Sequence, residues 1–215
     1  MKYFALLFVV ILSSCTHYME KVETKSREVL YSSLRNTVAL LDDEGYTFCS
    51  GVMIKQKVLT AAHCTEAVTQ FSIRYKGKEY PGVIMLTWQK EDLAVVVPAG
   101  LAPEDAEDTV SLADQAPYVG DQVYWFGYPS GIELVMGTGT IGRSHSTSSG
   151  VENKMVIFGQ IIPGNSGGPV FNRKGQLVGI VSATMITRMD ERSQDQFVPF
   201  GYVVHLDDIK KVSAL

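Results

Sequence analysis

Cysteine is scarce in this chain. Three thiols, Cys15, Cys49 and Cys64, are spread over 215 residues, and neither they nor the four histidines stand at Cys-x-x-Cys or His-x-x-x-His spacing. The usual sequence signatures of a metal site are therefore missing, and nothing calls for a cofactor. Long apolar runs are missing too. The run Phe4 to Leu12 is too short to cross a bilayer as a mature helix. Charge is low and balanced, with 19 Lys and Arg against 23 Asp and Glu and a formal net charge of -4. There is no basic run or aromatic platform, so nucleic acid is not an expected partner. Helical periodicity is rare outside Leu206 to Leu215, and no internal repeat is visible. Hydrophobic content of 46% nevertheless supports a folded core and argues against disorder.

What is present begins with an export signal. Met1-Lys2-Tyr3 supplies one positive charge ahead of the short apolar run, the pattern of a secretory signal peptide. Leu12-Ser13-Ser14-Cys15 resembles a bacterial lipobox, in which Cys15 would be lipidated and become the first mature residue. Cysteine arithmetic agrees, because lipidating Cys15 leaves Cys49 and Cys64 as a pair. Residues 1–14 are thus expected to be a lipoprotein signal, and 15–33 a polar tether with a short helix possible from Lys25 to Leu34. The protein would face the periplasm on a membrane anchor; the alternative is an ordinary signal peptide and a soluble secreted protein. From Thr37 onward, apolar runs of four to eight residues alternate with turn signals, which predicts many short strands and a β-sandwich or β-barrel. The Pro98 to Pro117 stretch reads as a connection carrying a strand around Thr109 to Leu112. It separates residues 34–113 from 114–215. The acidic run Glu104 to Asp108 within it reads as a solvated loop, and the Ser/Thr-rich Arg143 to Gly150 as an exposed loop with His145 a bystander.

The chemistry gathers at Pro163-Gly164-Asn165-Ser166-Gly167-Gly168-Pro169. A hydroxyl among glycines, on a tight turn between two apolar runs, is how a fold exposes a nucleophile and lets a substrate approach its backbone. The N–H groups of Gly164 and Ser166 can then point at one spot, where a tetrahedral oxyanion would form. Serine is a poor nucleophile alone and needs a base. His63, closing the apolar run Val58 to Cys64, is the best placed histidine. A carboxylate to orient it lies in Glu91-Asp92, ahead of the apolar Leu93 to Val97. Gly164 to Gly168 also fits the nucleophile elbow of α/β-hydrolases formally, with His205 and Asp190 or Asp195 downstream. That fold needs alternating strands and long helices, which this sequence lacks.

Thr60-Ala61-Ala62-His63-Cys64, Asp92-Leu93-Ala94 and Gly164-Asn165-Ser166-Gly167-Gly168-Pro169, in that order, resemble the three catalytic segments of chymotrypsin-like serine proteases. Their compact spacing is similar to that of bacterial HtrA-type enzymes, and no PDZ-like extension follows. The resemblance implies an all-β fold of two packed six-stranded antiparallel β-barrels with a short C-terminal helix. It implies a serine endopeptidase with His63 as base, Asp92 as its orienting acid, Ser166 as nucleophile, and Gly164 and Ser166 as the oxyanion hole. Activity would then fall on the acid side of neutrality as the base takes up a proton. It further implies a disulfide between Cys49 and Cys64, support of Asp92 by Ser182, and a peptide pairing with the backbone after it. By motif alignment Gln160, Ile161, Ala183 and Thr184 fall near the pocket for the residue before the scissile bond. None is charged, which points to a small or medium aliphatic side chain there. Asn165 stands where digestive relatives carry an aspartate that pairs with a new N-terminus, so no activation cleavage of that kind is expected. Partners would be protein or peptide substrates. A catalytically silent, protease-shaped binding protein is the alternative.

Overall fold

Strands that must bury both faces cannot alternate polar and apolar residues, and several segments here do not. The computed structural model describes Tyr31 and residues 33–66, 68–106, 110–145, 153–187 and 196–213. The signal segment, Cys15, most of the tether, and residues 146–150 of the Ser/Thr-rich stretch lie outside the described residues; of the helix expected from Lys25 to Leu34, Tyr31, Ser33 and Leu34 are described and are helical. Among those described, twelve strands close into two antiparallel barrels.

The first barrel is built from β1 (Thr37–Leu41), β2 (Thr47–Ile54), β3 (Lys57–Thr60), β4 (Ser72–Tyr75), β5 (Lys78–Trp88) and β6 (Leu93–Pro98). They run in the order β1-β2-β3-β6-β5-β4, and β1 closes on β4 through pairs such as Leu40 with Ile73. The second barrel holds β7 (Gln122–Gly127), β8 (Val135–Arg143), β9 (Lys154–Phe158), β10 (Pro169–Asn172), β11 (Leu177–Thr187) and β12 (Gln196–His205). Its order is β10-β11-β12-β9-β8-β7, closed between β7 and β10. Short helical segments complete the fold, among them α1 (Ala62–Glu66) after β3 and α2 (Leu206–Ser213) after β12. His63 therefore sits in a helical turn just past the strand, rather than at the strand's end. The strand expected around Thr109 to Leu112 reduces, among the described residues, to one isolated parallel bridge from Leu112 to Leu177.

Three apolar clusters explain the runs. Val38, Leu40, Met53, Val58, Ile73 and Val96 fill the first barrel. Val123, Trp125, Ile141, Met155, Val178 and Val203 fill the second. The third cluster lies between them, taking Val52, Leu59, Leu93 and Val95 from one barrel and Phe126, Phe171, Ile180 and Val204 from the other, with Ile209 of α2. Successive residues of a strand point to opposite faces. On β6, Leu93 and Val95 thus meet the opposite barrel while Val96 enters its own. Burying a large aliphatic side chain contributes about 1.5–3 kcal/mol, so this shared layer fixes the barrels against each other. The candidate site lies where they meet.

Candidate active site

The nucleophile turn is made by its glycines. Asn165 N–H donates to the Ile162 carbonyl at 3.1 Å, and Gly164 sits at φ +92. A positive φ at the third position of such a turn is the type II geometry, which favours glycine. Gly167, at φ +80, approaches the first barrel so closely that a Cβ there would lie 2.1 Å from the Ser50 carbonyl oxygen and 2.1 Å from Thr60 Oγ1. The N–H groups of Asn165, Gly167 and Gly168 donate to the carbonyls of Ile162, Val181 and Asn165. Those of Gly164 and Ser166 donate to no acceptor among the described residues. An oxyanion hole needs two such undonated N–H groups.

Ser50 of β2 clamps the same turn. Its N–H donates to the Ser166 carbonyl at 2.8 Å, and its hydroxyl donates to the Gly164 carbonyl at 2.7 Å while accepting from Tyr128 N–H at 2.9 Å. Sequence inspection missed this residue. Its only local signal is a small polar side chain inside an apolar strand, and it is fully buried.

His63 and Asp92 come from the first barrel. Asp92 ends the Gln89–Asp92 loop joining β5 to β6, with its N–H on the Gln89 carbonyl at 3.1 Å and a left-handed φ of +53. Aspartate tolerates that conformation better than most side chains. His63 Nδ1 lies 3.0 Å from Asp92 Oδ1 and 3.1 Å from Oδ2, and His63 N–H donates to Oδ1 at 3.0 Å. An ionised carboxylate only accepts, so Nδ1 is the donor; in the neutral ring that leaves the lone pair on Nε2. Ser182 Oγ donates to Asp92 Oδ2 at 2.5 Å. Burial alone would raise the Asp92 carboxyl, but the hydrogen bonds from His63 and Ser182 and the His63 charge hold it below the ordinary aspartate value.

Ser166 is joined to this group through Ser182, whose carbonyl lies 3.5 Å from Ser166 Oγ, a long contact. The serine hydroxyl is turned to that carbonyl, and no hydrogen bond links it to His63. Catalytic hydrogen bonds are often long before substrate binds.

Lys154, at the start of β9, is 5% exposed, and its Nζ donates to the Glu91 carbonyl, pinning the peptide just ahead of Asp92. Burial pushes the Lys154 ammonium down, and the charges of Asp92, Asp208 and Glu91 offset part of that. Nothing beside it in the sequence marks this lysine, which reads as an ordinary surface residue.

The expected pocket residues are placed differently from one another. Ser182 is buried against Asp92, and Ile161 is 2% exposed, packed into the second barrel's core. Gln160 lines a shallow cleft of about 300 Å³ with Trp125, Met136, Ile162 and Asn165. Ala183 is half-buried on β11, and Thr184 pairs through its backbone with Gly201. Asp190 lies outside the described residues. The exposed ring of His145 packs on buried His205 with centroids 4.2 Å apart. Cys49 and Cys64 form the expected disulfide, and a His63 ring nitrogen lies within 4.8 Å of both sulfurs.

The family model described as a trypsin-like peptidase domain matches residues 49–180, a span that holds His63, Asp92 and Ser166. The chain belongs to that family. HhoA of Synechocystis sp. is 35% identical over 165 residues, covering 72% of this chain and 39% of that protein. The serine protease Do-like HtrA of Bacillus subtilis is 27% identical over 180 residues, covering 76% of this chain and 38% of its own length. This trypsin-like chain thus spans about two fifths of each of these two curated relatives. Among solved structures, the serine endoprotease from Yersinia pestis shares the fold at a TM-score of 0.68 and 21% identity, covering 88% of this chain and 65% of that one. The all-β architecture leaves no place for the α/β-hydrolase alternative.

Proposed function

We propose that this trypsin-like domain is a serine endopeptidase working through an acyl-enzyme. The observation that carries the reading is the hydrogen-bonded chain from His63 through Asp92 and Ser182 to Ser166, beside two undonated N–H groups. Rotation about the Ser166 Cα–Cβ bond would move Oγ from the Ser182 carbonyl toward the imidazole. Oγ then bonds to the substrate carbonyl carbon as its proton passes to His63 Nε2, and the carbonyl electrons collect on oxygen under the Gly164 and Ser166 N–H groups. Such donors contribute about 3 kcal/mol each to the transition state. As the C–N bond breaks, His63 returns the proton to the leaving amine, and water repeats the cycle on the acyl-serine. Asp92 holds the tautomer and stabilises the imidazolium.

A fluorophosphonate probe should label the wild-type chain at Ser166 and leave Ser166→Ala unlabelled. A folded wild-type chain that fails to label would favour a protease-shaped binding protein. The same reading has the domain exported and held at a membrane by a lipid on Cys15, consistent with the Cys49–Cys64 disulfide, since such bonds persist in oxidising compartments. Fatty-acid labelling lost in Cys15→Ser tests the anchor.

A further inference from the structure

Ser166 is held from two sides. On one, its hydroxyl faces the Ser182 carbonyl of β11; on the other, its carbonyl accepts from Ser50 of β2. A peptide whose acyl half lies along β11 must therefore continue past the serine toward β2. A cleft of about 370 Å³ opens in that direction, lined among others by Arg35, Thr47, Arg74, Lys76, Tyr128 and Glu133. Its near end is tied to the nucleophile turn. Tyr128 N–H donates to Ser50 Oγ, and Thr47 precedes Ser50 by three positions on β2. Three strand residues span about 10 Å, so the cleft begins where the second or third residue of an extended leaving segment would lie.

The lining is basic in a chain whose formal net charge is -4. Arg35, Arg74 and Lys76 line it together with Glu133, the one carboxylate among the described lining residues. Arg35 is exposed and has no hydrogen bond or ion pair among the described residues. Arg74 donates through Nε and Nη2 to Glu79 Oε1, at 3.1 and 2.8 Å, which leaves other guanidinium N–H groups for a second acceptor. Lys76 Nζ donates to the Asp105 carbonyl at 3.3 Å. We infer that this cleft selects peptide substrates carrying Asp or Glu two to three residues beyond the scissile bond, on the leaving side. The inference rests on the endopeptidase reading and specifies its substrate class.

The test is cleavage of an unbiased peptide library by the full chain, with the positions after each cut read by mass spectrometry. Exposed ion pairs contribute modestly, so Asp and Glu should be enriched about twofold to fivefold at those positions. Arg35→Glu should erase the enrichment while melting like wild type, because the side chain is exposed. Salt at about 0.5 M should flatten it by screening. Cutting without acidic enrichment, or enrichment that survives both Arg35→Glu and Arg74→Gln, overturns the role of the cleft and leaves the endopeptidase reading intact. No cutting of any peptide counts against the endopeptidase reading, and the cleft's role falls with it.

Discussion

Replacing Gly167 by alanine probes the contact on which the nucleophile's position depends. At φ +80, an alanine pays about 1–2 kcal/mol for a left-handed backbone. Its Cβ would also lie 2.1 Å from the Ser50 carbonyl oxygen, 2.1 Å from Thr60 Oγ1 and 3.0 Å from the Ala61 nitrogen. Two of these three atoms are backbone, so no side-chain rotation relieves the overlap. The strands must separate. That movement strains the hydrogen bonds Ser50 N–H to Ser166 carbonyl, Ser50 Oγ to Gly164 carbonyl and Thr60 Oγ1 to Ser50 carbonyl, each contributing about 1 kcal/mol net. The expected loss is about 4–5 kcal/mol, a large part of the stability of an ordinary domain. For a chain of this size it lowers the melting temperature by about 8–20 °C. Gly45 supplies the control, since at φ +84 it has nothing within 4 Å. Gly45→Ala should cost only the backbone part, about 1–2 kcal/mol. Thermal melts of both variants, with fluorophosphonate labelling at Ser166, read the two effects separately. Because a displacement of about 1 Å can slow a reaction a hundredfold, Gly167→Ala should also label far more slowly. If it melts within about 2 °C of wild type and labels at the same rate, the proposed coupling between the barrels and the nucleophile turn is wrong.

Three further perturbations test the same geometry. Reducing the disulfide frees a segment of 15 residues, which should remove about 3 kcal/mol of stability; denaturant midpoints that do not shift with reductant would refute this. Asp92→Asn should lower turnover by about four orders of magnitude. Because the Asp92 carboxyl is held below its ordinary value, its stabilisation is complete above that value and fades as pH falls through the lower folded one. The stability gap between wild type and Asp92→Asn should therefore narrow below about pH 4, and a constant gap would contradict the assignment. Lys154→Met removes the donor to the Glu91 carbonyl together with a buried charge, two opposing contributions to stability. Labelling of Ser166 should nevertheless fall about tenfold or more as the Asp92 loop loosens, with Lys154→Arg retaining most of the rate.

Much of this molecule is readable from short stretches. The strands follow from apolar runs between turn signals, and the nucleophile turn follows from glycines packed around one serine. The His63 segment stands out because a titratable ring closes an apolar run. The motif order then identifies the family and the barrels. Other features have no local signature. Glu91 and Asp92 are equivalent as neighbouring carboxylates until the left-handed turn sends one side chain to His63 and leaves the other's carbonyl to Lys154. Ile161 sits beside the nucleophile turn in sequence, yet its side chain belongs to the core.

Turns and strands are decided among adjacent residues, through φ preferences and the two-residue alternation of side chains, so the sequence alone determined where they fall. The hydrogen bonds that assemble the site instead join residues 29, 90 and 114 positions apart, from His63 to Asp92, Ser182 to Asp92 and Ser50 to Gly164. Those partners were selected only when two separately closed barrels packed against a shared apolar layer, because distance in space, not along the chain, sets a hydrogen bond.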